Sequence, residues 1–205
     1  MAGLAGCAAL ALSVPASAAA YDPSEKSMAE LEADLTAGRT TSAALVTVYE
    51  ERIARLNPGL HAVIAVNPDA MGAARASDAA RKAGKPQGPL AGLPILVKDN
   101  IETADPMATT AGSLALKDNV TGRDAPLVAR LRAAGAIILG KTNLSEWANI
   151  RSNHSISGWS AIGGQTRNPY ALDRSPCGSS AGSGAAAAVS LAGAAIGTEI
   201  GRAHV

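Results

Sequence analysis

Apolar residues recur along this chain in two rhythms, and their alternation sets the first expectation. From Ser27 to Ala37, Met28, Leu31 and Leu35 fall on one helical face, and Gly38 supplies the stop. Thr41 or Ser42 caps a second helix to about Leu56, with Leu45, Val46, Tyr49 and Ile53 aligned. "HAVIAV", His61 to Val66, is a β-branched run closed by Asn67-Pro68 and predicts a strand. Alanines alternate with charges at helical spacing from Asp69 to Gly84. "GLPILVKDN" enters a short strand at Ile95 to Val97. A helix from Asp124 to Ala134, closed by Gly135, precedes a buried strand, "AIIL". Helix and strand alternate, so the expected class is α/β.

Composition narrows this picture only slightly. The 205 residues carry a formal charge of +1 and are 47% apolar, enough for a core. A charge this close to zero predicts no attraction to nucleic acid or to an anionic membrane surface. Two cysteines, Cys7 and Cys177, are too few for a disulfide framework or a metal site, and neither is expected. Residues 1–20 change the picture more. An apolar run from Leu4 to Val14, Pro15 and then Ala16-Ser17-Ala18 resemble an export signal with a small-x-small cleavage pattern. The run is shorter than the roughly 20 residues that a membrane-spanning helix needs. A mature chain beginning near Ala19 or Tyr21, in the periplasm or outside the cell, is the expectation.

Two features carry candidate chemistry. Lys98 follows three apolar strand residues and precedes Asp99-Asn100. Burial there disfavours the ammonium and makes a neutral amine available as a base; a strand-end lysine reaching solvent is the plainer reading of that position alone. The second feature is "CGSSAGSGAAAA", Cys177 to Ala188, a glycine–serine loop entering an alanine-rich helix. Its glycines allow hydroxyls and backbone N–H groups to turn inward together. The loop has no Gly-Lys-Ser/Thr ending, which excludes a phosphate-cradling P-loop.

Read in order, "GLPILVKDNIETADPMATTAGS", "LGKTNLSEWAN", "GGQTRNPY" and "SPCGSSAGSGAAAA" resemble the amidase signature family over about Ser27 to Glu199. The likeness is strongest to exported bacterial amidases of the peptide-amidase kind. It implies the N-terminal part of a large mixed β-sheet covered by helices on both faces, within one domain spanning residues 21–199. It also implies a Ser-cisSer-Lys triad that uses no cofactor, with Lys98 matching the base and Ser179 the bridging serine in a cis peptide. Position 177, usually Gly in the family, is Cys here. His61 and His154 match no part of such a triad.

The family's nucleophile lies in a "GT[DE]xxGS" turn, about 24 residues past the bridging serine. "GTE" is present at Gly197 to Glu199, but the nucleophile's position is Ala203. The closing hexapeptide Ile200 to Val205 is what the codons ATC GGA AGA GCA CAC GTC of a common sequencing adaptor encode. Residues 200–205 are therefore expected to be a non-native tail, and the chain a fragment that stops short of its nucleophile. The expected activity of the natural protein is hydrolysis of a linear carboxamide, from a small-molecule or peptide amide. The alternatives are the glutaminase subunit of a tRNA-dependent amidotransferase and a non-catalytic secreted binding protein on the same scaffold. Family analogy puts "RSNHSISGWS", Arg151 to Ser160, beside the acyl pocket, with Asn153 as the substrate-binding candidate. Trp147 and Trp159 are expected to be packing or rim residues.

Overall fold

The computed structural model describes residues 21–199. The expected export signal, residues 1–20, and the expected non-native tail, residues 200–205, lie outside the described residues. The first helix, α1 (Met28–Thr36), starts at a reciprocal cap: the Ser27 hydroxyl accepts from the Glu30 N–H, and the Glu30 carboxylate accepts from the Ser27 N–H. Helix α2 (Ser42–Leu60) runs through Pro58, four residues past its expected end. The proline gives up its own N–H bond, but the next turn buries Leu60. Asn57 then ends the helix, its side-chain oxygen accepting from the N–H groups of Ala62 and Val63 at 2.8 Å each. His61 and Ala62 are thereby taken into the cap, so β1 is shorter than expected, Val63–Val66. Helix α3 (Ala70–Lys82) returns against α2, and its Asp78 carboxylate accepts from the first N–H groups of α2, at Ser42 and Ala43.

Strand β2 (Pro94–Lys98) is buried at all five positions. After a long loop comes α4 (Pro126–Ala133), with proline at its first position, and then β3 (Ile137–Thr142). The strand continues past "AIIL" through Gly140, Lys141 and Thr142, because both polar side chains find buried partners. A two-strand ribbon, β4 (Trp159–Ser160) with β5 (Gly164–Gln165), leads towards α5 (Ala181–Ala188) and the last strand, β6 (Ala194–Ile196). The main sheet is mixed, in the order β1-β3-β2-β6, with β1 antiparallel to β3 and β2 parallel to both its neighbours. Leu96 belongs to the larger core with Leu31, Leu45, Tyr49, Ala74 and Ala185, which brings in α1, α2, α3 and α5. Val97, next along the strand and so on the other face, packs with Ile101, Met107, Ile138 and Val128 of α4. The sheet is thus a mixed one with helices on both faces, as the α/β expectation required.

Candidate active site

Lys98 ends β2 and is register neighbour to Thr142 of β3. Both face α5, where Thr142 Oγ1 and Ser183 Oγ lie 2.7 Å apart and Ser183 donates on to the Ile196 carbonyl. Lys98 is 0% exposed, so its amine must be met by polar atoms from the protein. It donates to Ser179 Oγ at 2.8 Å and to Thr198 Oγ1 at 2.8 Å. Ser179 is itself buried, and its peptide bond to Gly178 is cis. The two residues singled out from sequence, Lys98 and Ser179, are therefore brought together.

Several further residues hold them there. The Ser145 N–H donates to the Ser179 carbonyl at 2.9 Å, and Ser145 Oγ accepts from the Gly158 N–H. A Cβ at Gly178 would lie 2.7 Å from that hydroxyl, which would have to turn away from the Gly158 N–H to make room. Ser180 Oγ accepts from the Thr198 N–H and donates to the Thr198 carbonyl, both at 3.1 Å, which ties the "GTE" turn to the serine loop. Asn100 completes the ring by donating to Thr198 Oγ1. The "GTE" match signals Thr198 in the sequence, whereas nothing in the spacing of Ser145 or Asn100 does so.

A cleft of about 670 Å³ opens above this pair, with Ser179, Thr198 and Glu199 at its foot and Ile101, Thr109 and Trp147 in its walls. Trp147, Ala148 and Asn149 all have left-handed backbones, at φ 50, 53 and 65°. Such a conformation costs a non-glycine residue about 1–2 kcal/mol, so three in succession mark a wall held by its surroundings. One of those restraints is the Trp147 N–H bond to the Ala111 carbonyl. Trp147 lines the cleft and, with Trp159, a smaller adjoining cavity of about 220 Å³. Asn153 is exposed in the following loop and lines neither cavity. His61 caps α2 and His154 is exposed; neither lines the cleft.

Beneath the walls lie two more buried charged groups. Asp99 accepts from both the N–H and the hydroxyl of Thr110, and burial pushes its carboxyl above the usual range. Burial lowers Lys141 to about 8 against the opposing pull of Asp99, Asp105, Glu102 and Asp124. Chemically, the foot of the cleft offers an amine and a hydroxyl in one hydrogen-bonded line, the elements of a proton relay.

A family model described as Amidase matches residues 44–202. A protein of Arabidopsis thaliana described as a probable amidase is 50% identical over 163 residues, covering 78% of this chain and 32% of its own length. A glutamyl-tRNA(Gln) amidotransferase subunit of Thermobifida fusca is 44% identical over 176 residues, covering 85% of this chain and 34% of its own. A peptide amidase solved in complex with the competitive inhibitor chymostatin superposes with a TM-score of 0.83 at 58% identity, covering 85% of this chain and 36% of that one. The chain spans about a third of the length of such relatives.

Proposed function

We propose, from the premise that this chain belongs to the amidase family, that it is the N-terminal part of an enzyme hydrolysing a linear carboxamide through a Ser-cisSer-Lys relay. Family membership supports amide hydrolysis as the reaction class. The observation that carries the finer reading is the 2.8 Å bond from Lys98 Nζ to Ser179 Oγ at the foot of the cleft. This relay requires a serine at position 203 of the natural protein, where Ala203 stands here. Neutral Lys98 takes the Ser179 proton while Ser179 takes that of the nucleophile, whose oxygen attacks the amide carbon. Collapse of the tetrahedral adduct expels ammonia or an amine, which leaves with the relayed proton. Water, deprotonated along the same line, then opens the acyl-enzyme, releases the acid and restores the serine hydroxyl. With Ala203 the 205-residue chain is inert, since losing one member of a cooperative triad costs about as much as losing all of it. The similar peptide amidase with its bound inhibitor favours a peptide or small-molecule amide as substrate, and the N-terminal segment favours a periplasmic or secreted protein.

The likeness to glutamyl-tRNA(Gln) amidotransferase keeps a second reading, glutamine hydrolysis within a tRNA-dependent complex. The test is to read the gene past Glu199, purify the full-length protein and measure ammonia released from propionamide, a C-terminal peptide amide and glutamine. Turnover of the first two is expected. Turnover of glutamine alone favours the amidotransferase. No turnover, with serine present at 203, leaves a binding protein on an amidase scaffold. Mass spectrometry of the native protein checks export: a start near Ala19 or Tyr21 is expected, and an intact Met1 in a cytoplasmic fraction overturns it.

A further inference from the structure

Lys141 sits one residue from the end of an interior strand, 0% exposed, on the face of the sheet away from Lys98. An ammonium stays in such a place only if its donors are met. It donates to the Ile101 carbonyl at 2.6 Å and to Thr109 Oγ1 at 2.8 Å. These two acceptors belong to residues that line the cleft from separate stretches of one long loop. The same loop is fastened from the strand end by Asp99, whose carboxylate accepts from Thr110 and whose carbonyl accepts from the Ala111 N–H at 3.0 Å. The Asp99 N–H donates to the carbonyl of Thr142, the residue after Lys141, at 3.1 Å, so the two fastenings leave the sheet from neighbouring positions. The loop itself has only a single turn of 3-10 helix, Leu114–Leu116, and cannot fix its shape through repeating backbone bonds.

We infer that Lys141 is a positioning residue that sets one wall of the cleft, by clamping Ile101 to Thr109, that this wall receives the acyl group, and that Lys141 so governs which acyl groups the enzyme accepts. It touches no reacting atom. This rests on the amidase reading above. Small acyl groups bind at the foot of the cleft beside Ser179 and do not use that wall, whereas longer ones lie against it.

The experiment measures kcat/KM of the full-length enzyme for acetamide and for hexanamide. Lys141→Met, which keeps the side chain's length and removes its donors, is expected to lower the hexanamide-to-acetamide ratio about tenfold, with the change in KM, as two lost hydrogen bonds imply. The ratio is independent of the fraction of enzyme that is folded, so general destabilisation does not move it. Thr109→Val removes one acceptor without touching the strand and is expected to lower the ratio about threefold; it decides the matter if Lys141→Met yields no folded protein. A ratio equal to wild type, whether both rates are kept or both fall together, overturns the inference. A wild-type enzyme inert on both amides overturns the amidase reading and this inference with it.

Discussion

Two glycines of α5, two residues apart, should respond to the same substitution with opposite sign. Gly182 lies where the helix starts beneath β3, and its N–H donates to the Asn143 carbonyl at 3.0 Å. A Cβ there would meet the Ala62 carbonyl oxygen at 2.3 Å and the Asn143 backbone at 2.5 Å. All of these are main-chain atoms, which cannot rotate away. In Gly182→Ala the start of the helix must therefore withdraw by about 1 Å, at a cost of about 1–3 kcal/mol. Ser179 and Ser180 ride on that segment, while Lys98 is anchored in β2 and does not follow. The 2.8 Å bond between Lys98 and Ser179 stretches beyond hydrogen-bonding range. A misplacement of about 1 Å in a catalytic group costs about 100-fold in rate. Gly184 is exposed and a Cβ there meets nothing within 4 Å. Gly184→Ala should stabilise the helix by about 0.5–1 kcal/mol and leave turnover within about twofold. Both variants of the full-length enzyme are to be compared by kcat on a simple carboxamide and by denaturant midpoint. More than half of wild-type turnover in Gly182→Ala, or a lowered midpoint in Gly184→Ala, would refute the steric reasoning.

Lys98→Ala should abolish amide hydrolysis in a full-length enzyme that remains folded and soluble; retention of a tenth of the wild-type rate rules out its role as base. Cys177 holds a left-handed backbone at φ 64°, so Cys177→Gly should stabilise the protein by about 1 kcal/mol without loss of turnover, and a lowered denaturation midpoint contradicts this. Burial places Lys141 near 8, below the value of about 10.4 in an unfolded chain. Between those values the unfolded state binds more protons than the folded one, so this group makes stability rise with pH across the window. Subtracting the pH–stability curve of Lys141→Met from that of wild type should expose the rise. A flat difference from pH 8 to 10 shows that the lysine is not desolvated.

Where the sequence is legible, local chemistry and tertiary context agree. The Ser27–Glu30 cap and the apolar stripe of α2 specify their helices without help from the rest of the chain. β6 is invisible in the sequence because Ala-Ala-Ile has little strand preference; it is a strand only because β2 offers it a parallel partner. Pro58 reads as a stop, yet burial of Leu60 and the Asn57 cap carry the helix past it. Lys141 escapes notice because "AIIL" looks complete and Gly-Lys-Thr looks like an exit to solvent. The motif "LGKTN" repeats the pattern that draws attention to Lys98, a lysine at the end of an apolar run, and that is the available signal. Asn153 is suggested by its neighbourhood in the chain, whereas the left-handed turn at Trp147 to Asn149 leaves Trp147, Ala148 and Ile150 lining the cleft.

The bonds that meet the Lys98 amine reach 81 residues forward to Ser179 and 100 to Thr198. At roughly 5–20 residues per second of synthesis, Lys98 leaves the ribosome several seconds or more before either hydroxyl exists. For that interval β2 carries a lysine that cannot be buried, so its C-terminal end must stay open to water while α1, α2 and α3 collapse around their own apolar faces. Closing a loop of this length costs entropy that only the final contacts repay. The site is therefore a late product of folding, and the nascent chain presents no completed amine–hydroxyl relay until α5 and β6 have docked.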